Sequence, residues 1–113
     1  MADQHPLLWT PDAARIERSK LHQYMQWLAA ERGQHFSDYQ ALWQWSTGHI
    51  EDFWESIWQY FAIKSSAPYS SVLAERIMPG ARWFEGSRLN FAEQIFRFNT
   101  DAASADKPAI IAK

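Results

Sequence analysis

Four histidines, a carboxylate cluster and three arginines are the side chains of this 113-residue chain best equipped for chemistry. His5, His22, His35 and His49 include no pair at the i, i+3 or i+4 spacing that puts two imidazoles on one helix face. No zinc motif is therefore present, and each reads as a solvent-facing or cap-proximal residue. Glu51, Asp52 and Glu55 are close enough for general acid–base work, yet acids in an opening helical turn are what the positive helix terminus favours. Arg82, Arg88 and Arg97, near Trp83 and Phe84, have the chemistry to stack on or bind an anion; salt bridging and packing are the plainer use. The four glycines stand singly at 33, 48, 80 and 86, so no phosphate-cradling loop exists. There is no G-x-S-x-G elbow. Cysteine is absent, which excludes thiol nucleophiles, disulfides and cysteine-ligated zinc. Read alone, the residues hold no catalytic, cofactor or metal site.

The elements that would position these groups are mostly helical. Thr10 as cap, Pro11 at the first helical position and Asp12 in the first turn open a helix. Leu21, Tyr24, Met25 and Leu28 recur at helical spacing, and Gly33 supplies a left-handed stop, so residues 11–32 are predicted as one amphipathic helix. A second helix is expected from Ser37, with Gln40 completing a capping box and Phe36 as the staple ahead of it. A third follows Thr47-Gly48 and carries Phe53, Trp54, Ile57, Trp58 and Phe61 on a broad stripe, the pair forming a helical hairpin. Residues 64–69 read as a loop. Residues 72–78 are too few to decide between a strand and a helical turn. Pro79-Gly80 is a turn, residues 83–86 are irregular or extended, and Asn90 with Glu93 caps a last helix carrying Phe91, Ile95 and Phe98. Residues 99–107 form a polar connector, and Pro108-Ala109-Ile110-Ile111-Ala112 begins an extended apolar run. A strand there has almost nothing earlier to pair with, so the simplest expectation is a chain cut where a larger sheet domain begins.

Composition narrows the partners. A net charge of −2 argues against nucleic acid or a membrane surface, both of which call for clustered cations. No apolar run approaches a membrane span, and residues 1–6 lack the pattern of a signal peptide, which fits a cytoplasmic protein. Seven Trp, seven Phe and four Tyr are hard to hide in so small a domain, so part of this set is expected to face a partner surface. A stand-alone interaction module docking through its tryptophan-rich face is one alternative; a sugar-stacking surface is another, without polar groups to support it.

Residues 78–98 carry a more specific pattern. Trp83, Phe84, Gly86, Leu89 and Asn90 spell W-F-x-G-x-x-L-N ahead of a helix, which resembles the N-terminal segment of acetoacetyl-CoA synthetases, members of the adenylate-forming acyl-CoA ligases. Related acetyl-CoA synthetases carry a similar stretch. Upstream, Leu8-Trp9-Thr10-Pro11, residues 36–46 and Phe53-Trp54-Glu55-Ser56-Ile57-Trp58 look like the acetoacetate-directed branch, and residues 107–112 look like the first strand entering the large nucleotide-binding domain. Nearly the whole chain is covered.

The resemblance implies a mainly α fold: a small N-terminal helical cap, about four helices with irregular connections, over residues 1–98. Residues 99–113 would then be the connector and the start of a truncated AMP-binding domain. It implies a parent enzyme that joins acetoacetate to ATP as an acyl-adenylate with release of pyrophosphate, then passes the acyl group to CoA. ATP, magnesium and CoA would serve that parent, whose catalytic motifs lie downstream in the family; the isolated segment would be catalytically silent. An acetyl-CoA or other short-chain acyl-CoA synthetase is the alternative parent. The role carried over is docking on the AMP-binding domain of the same polypeptide, through Trp83, Phe84, Gly86, Leu89, Asn90, Trp54 and Trp58. Burying Trp83 in that contact would contribute on the order of 2–3 kcal/mol. Trp83→Ala is accordingly expected to be the most costly single change in the full-length protein.

Overall fold

Capping side chains set most of the helix boundaries. The computed structural model describes residues 5–99 and 102–113 and contains five helices and two strands among them. Residues 1–4, read above for a signal peptide, and residues 100 and 101 of the connector lie outside the described residues. The chain divides into two units, Met1–Ser56 and Ile57–Lys113.

In the first unit the predicted single helix is two, α1 (Ala13–Glu17) and α2 (Lys20–Arg32). The cap is Asp12, not Thr10: its carboxylate accepts from the Arg15 N–H at 2.7 Å. Ser19 then interrupts the helix, because its hydroxyl accepts from the His22 N–H at 3.1 Å and so starts a new helix. Gly33 closes α2 at φ +63, as the sequence predicts. Helix α3 (Tyr39–Gly48) is capped by Asp38 one residue beyond the expected Ser37, through a 2.8 Å bond from the Ala41 N–H. Asp38→Ala is therefore expected to cost about 1 kcal/mol of stability and Ser37→Ala a small fraction of that, checked by denaturant unfolding of the two variants.

His49 alone separates α3 from α4 (Ile50–Tyr60). Phe36 packs on Trp45 at 5.2 Å between ring centres, and Trp45 meets Phe53 edge-on at 6.0 Å. Arg32, on the last turn of α2, donates to the Asp52 carbonyl and to the Glu55 carboxylate, both at 2.9 Å. Glu55, one of the three clustered acids, is thus a structural ion-pair partner. Tyr24, Leu28 and Leu42 are the buried apolar side chains, with the buried hydroxyl of Ser56 among them.

The second unit contains what the sequence left open between strand and helix. Residues 72–75 belong to β1 (Ser71–Glu75), antiparallel to β2 (Arg82–Glu85). The register runs Ser71 to Glu85, Leu73 to Trp83 and Glu75 to Arg82, two steps on β1 against one on β2, so Ala74 is the extra residue of a β-bulge. Pro79 and Gly80 lie in the turn between the strands, as expected. Helix α5 (Phe91–Phe96) begins where the Asn90 side chain accepts from the Glu93 N–H at 3.1 Å. Residues 108–112 form no helix or strand here, and Ile110 and Ile111 are exposed.

Candidate functional site

The W-F-x-G-x-x-L-N segment is held by the serine-rich loop that precedes β1. The Ser66 N–H donates to the Arg88 carbonyl at 2.9 Å, and the Arg88 N–H donates to the Ser65 hydroxyl at 3.1 Å. Further along, the Ser70 N–H donates to the Glu85 carbonyl at 2.8 Å. The Glu85 carbonyl and the Arg88 N–H and carbonyl are therefore satisfied by a loop some 20 residues earlier, a pairing no local pattern announces.

Within this frame Phe84 adopts φ +47, a left-handed backbone that costs a bulky residue roughly 1–2 kcal/mol. Its ring explains why the conformation persists. Phe84 stacks on Trp58 at 4.5 Å with planes 28° apart, and Tyr69 meets both rings edge-on at 5.3 Å. Trp58 and Tyr69 also wall a cleft of about 410 Å³ with Ile63, Ser65, Ala67 and Pro68. Phe84 to Ser87 forms a four-residue turn closed by a 3.1 Å bond from the Ser87 N–H, with Gly86 at φ +90 in its third position. A Cβ on Gly86 would sit 3.4 Å from the Pro68 carbonyl oxygen. Gly86→Ala is expected to cost about 1–2 kcal/mol, read as a lower unfolding midpoint.

Of the seven residues assigned to docking, the structure brings Trp58 and Phe84 into contact, half-buried. Gly86 and Asn90 serve the backbone as turn and cap. Trp83 remains 41% and Leu89 53% exposed, while Trp54 lies exposed in the first unit. The three arginines divide their labour. Arg82 pairs with Glu75 and Glu85, each at 3.1 Å on the surface. Arg97 donates to the carbonyls of Phe61 and Ala62, at 2.6 and 3.0 Å, just past the end of α4. Arg88 is anchored by its backbone and its side chain is exposed. Sequence reasoning missed Ser65, Ser70 and Gln94, whose partners are distant in the chain.

Among the described residues of the second unit no side chain is fully buried. Trp83, Leu89, Phe91, Ile95, Phe96 and Phe98 all stand exposed there. No helix of the described residues is long and apolar enough to cross a membrane.

Residues 39–95 match the family model described as the acetyl-coenzyme A synthetase N-terminus. Among curated proteins, the acetoacetyl-coenzyme A synthetase of Rhizobium meliloti is 32% identical over 90 residues, 80% of this chain and 14% of that protein. A malonamoyl-CoA synthetase of Penicillium aethiopicum is 31% identical over 103 residues, 89% of this chain and again 14% of the relative. Among solved structures, an acetoacetyl-CoA synthetase from Streptomyces lividans is similar with a TM-score of 0.78 at 36% identity, over 84% of this chain and 15% of that one. The chain thus spans about one seventh of the length of the relatives it matches.

Proposed function

Because the chain belongs to the family of the acetyl-coenzyme A synthetase N-terminus, we propose that it is the N-terminal portion of an ATP-dependent acid–CoA ligase acting on acetoacetate. The whole enzyme would convert ATP, acetoacetate and CoA to acetoacetyl-CoA, AMP and pyrophosphate through an acyl-adenylate, with magnesium. This portion binds none of them and is catalytically silent. It works as a cytoplasmic, architectural cap over residues 1–98, and residues 99–113 lead into the AMP-binding domain it covers.

The observation that carries this reading is the 36% identical structural match, which takes in most of this chain but only 15% of an acetoacetyl-CoA synthetase. The absence of any fully buried side chain among the described residues of the second unit supports the docking role. Trp83, Leu89 and Trp54 would contribute contact area to the dock. Trp58, Phe84, Gly86 and Asn90 would hold the backbone that presents it.

The malonamoyl-CoA synthetase relative favours a second reading of the substrate, a different short acid handled by the same architecture. Acid-dependent ATP–pyrophosphate exchange by the full-length protein decides between them. Acetoacetate supporting the fastest exchange is the expected result. Exchange with acetate or the malonamoyl acid in its place would move the substrate assignment, and exchange with no acid would end the ligase reading.

A further inference from the structure

Among the described residues, two that are not glycine hold a left-handed backbone, Ala62 at φ +46 and Phe84 at φ +47. A side chain makes that conformation costly, so each needs a restraint from elsewhere. Trp58 is common to both. Its ring stacks on Phe84. Its carbonyl accepts from the Ile63 N–H at 3.1 Å, while the Ala62 N–H donates to the Gln59 carbonyl at 3.0 Å. Those two bonds close α4 as a Schellman turn, with alanine at the position where glycine is usual. Helix α5 restrains that turn with its polar side. Arg97 donates to the carbonyls of Phe61 and Ala62, at 2.6 and 3.0 Å, and places a cation on the negative end of α4. The Gln94 side-chain carbonyl accepts from the Lys64 N–H at 3.1 Å, and its amide donates to the Lys64 carbonyl. Two side chains thus fix four backbone groups on either side of Ile63.

From this we infer that Arg97 is the latch of a two-position device: seated on α4, it holds Ala62 left-handed and, through Trp58, holds Phe84 left-handed as well. With Arg97 released, Ala62 leaves the left-handed region, the bond from Ile63 to Trp58 breaks, and the end of α4 frays back to Trp58. The ring then loses its fixed seat on Phe84, and the Phe84–Ser87 turn opens. Trp83 and Leu89 flank that turn, so the latch presents or withdraws the two together. Relaxing one left-handed residue changes a local opening equilibrium by roughly five- to thirtyfold.

The test is hydrogen exchange in the full-length protein, read at Ile63, Ser70 and Ser87, with Leu42 of the first unit as the reference. Arg97→Ala is expected to raise exchange at all three by roughly five- to thirtyfold and to leave Leu42 unchanged. Adding Ala62→Gly should return most of the protection at Ser70 and Ser87, because glycine keeps the left-handed turn without a latch. Should Arg97→Ala unfold the second unit, Ala62→Gly alone decides. That substitution lies outside the Phe84 cluster, yet it is expected to slow exchange at Ser70 and Ser87 as well as at Ile63. Faster exchange confined to Ile63 in Arg97→Ala would overturn the inference, as would an equal rise at Leu42, the mark of global unfolding. Ala62→Gly with wild-type exchange at Ser70 and Ser87 would overturn it too.

Discussion

Replacing Trp58 with alanine is expected to lower the stability of the second unit by about 2–4 kcal/mol, somewhat under the usual cost of a fully buried tryptophan. The ring is the shared neighbour of Phe84 and Tyr69, at 4.5 and 5.3 Å, so its loss removes two of the three aromatic contacts in that cluster. A second consequence follows from the backbone. Phe84 holds φ +47 only because its ring is pinned, and without Trp58 that strain has less to oppose it. The β2 end of the hairpin and the Phe84–Ser87 turn should therefore open first. Hydrogen exchange at Ser70 and Ser87, whose N–H groups bond to Glu85 and Phe84, reports this directly. Protection at both amides equal to wild type would refute the proposed coupling. Trp83, expected from sequence to be the most costly position, is 41% exposed in this chain. In the proposed full-length ligase a docked surface would add to its cost, whereas that of Trp58 arises within the chain.

Ser56→Ala is expected to destabilise the first unit by about 1–3 kcal/mol, because it removes the hydroxyl that accepts from a buried phenol. The Ser56 hydroxyl donates to the Phe53 carbonyl at 2.6 Å, which commits its one proton. Tyr24, 2.5 Å away, must then be the donor of the bond between the two hydroxyls. Removing both groups in Tyr24→Phe/Ser56→Ala should recover most of the loss, since no buried donor is left unmet. A double substitution as unstable as the sum of the singles would contradict this account of the pair.

Tyr24 also brings a pH dependence. Burial pushes its phenol above the usual 10.0, with the Ser56 hydrogen bond and the charge of Arg32 drawing it partly back. The unfolded chain then loses its proton more readily than the folded one. The stabilisation tied to the neutral phenol is present in full below pH 10.0 and is lost as pH rises through the higher folded value. Unfolding midpoints recorded across the alkaline range should fall more steeply for the wild type than for Tyr24→Phe.

Local chemistry was legible wherever it was decided within a few residues. Gly33 as a left-handed stop, Asn90 as the cap of α5 and Pro79-Gly80 as a turn all follow from dihedral preference and nearby hydrogen bonds. The caps expected at residues 10 and 37 were displaced because an aspartate one or two residues further on accepts an opening N–H of the helix. Asp12 accepts from the Arg15 N–H and Asp38 from the Ala41 N–H. The break at Ser19 was hidden by an apolar spacing that continues across it. Periodicity records which face a side chain lies on, not whether the backbone pauses.

By itself the sequence determined that this is a mainly helical chain rich in aromatic side chains, with the ordered motifs of one ligase family. Those properties reside in composition and in contacts between near neighbours. Only the tertiary structure decided which aromatics support and which are presented. Trp58 and Phe84 turn toward each other, Trp83 and Leu89 stay exposed, and α5 faces its polar side to its own chain. Those outcomes depend on hydrogen bonds and ring contacts spanning 15 to 36 residues, such as Ser70 to Glu85 and Arg97 to Phe61. No local pattern encodes such pairings, because their free energy exists only once the intervening loop has closed.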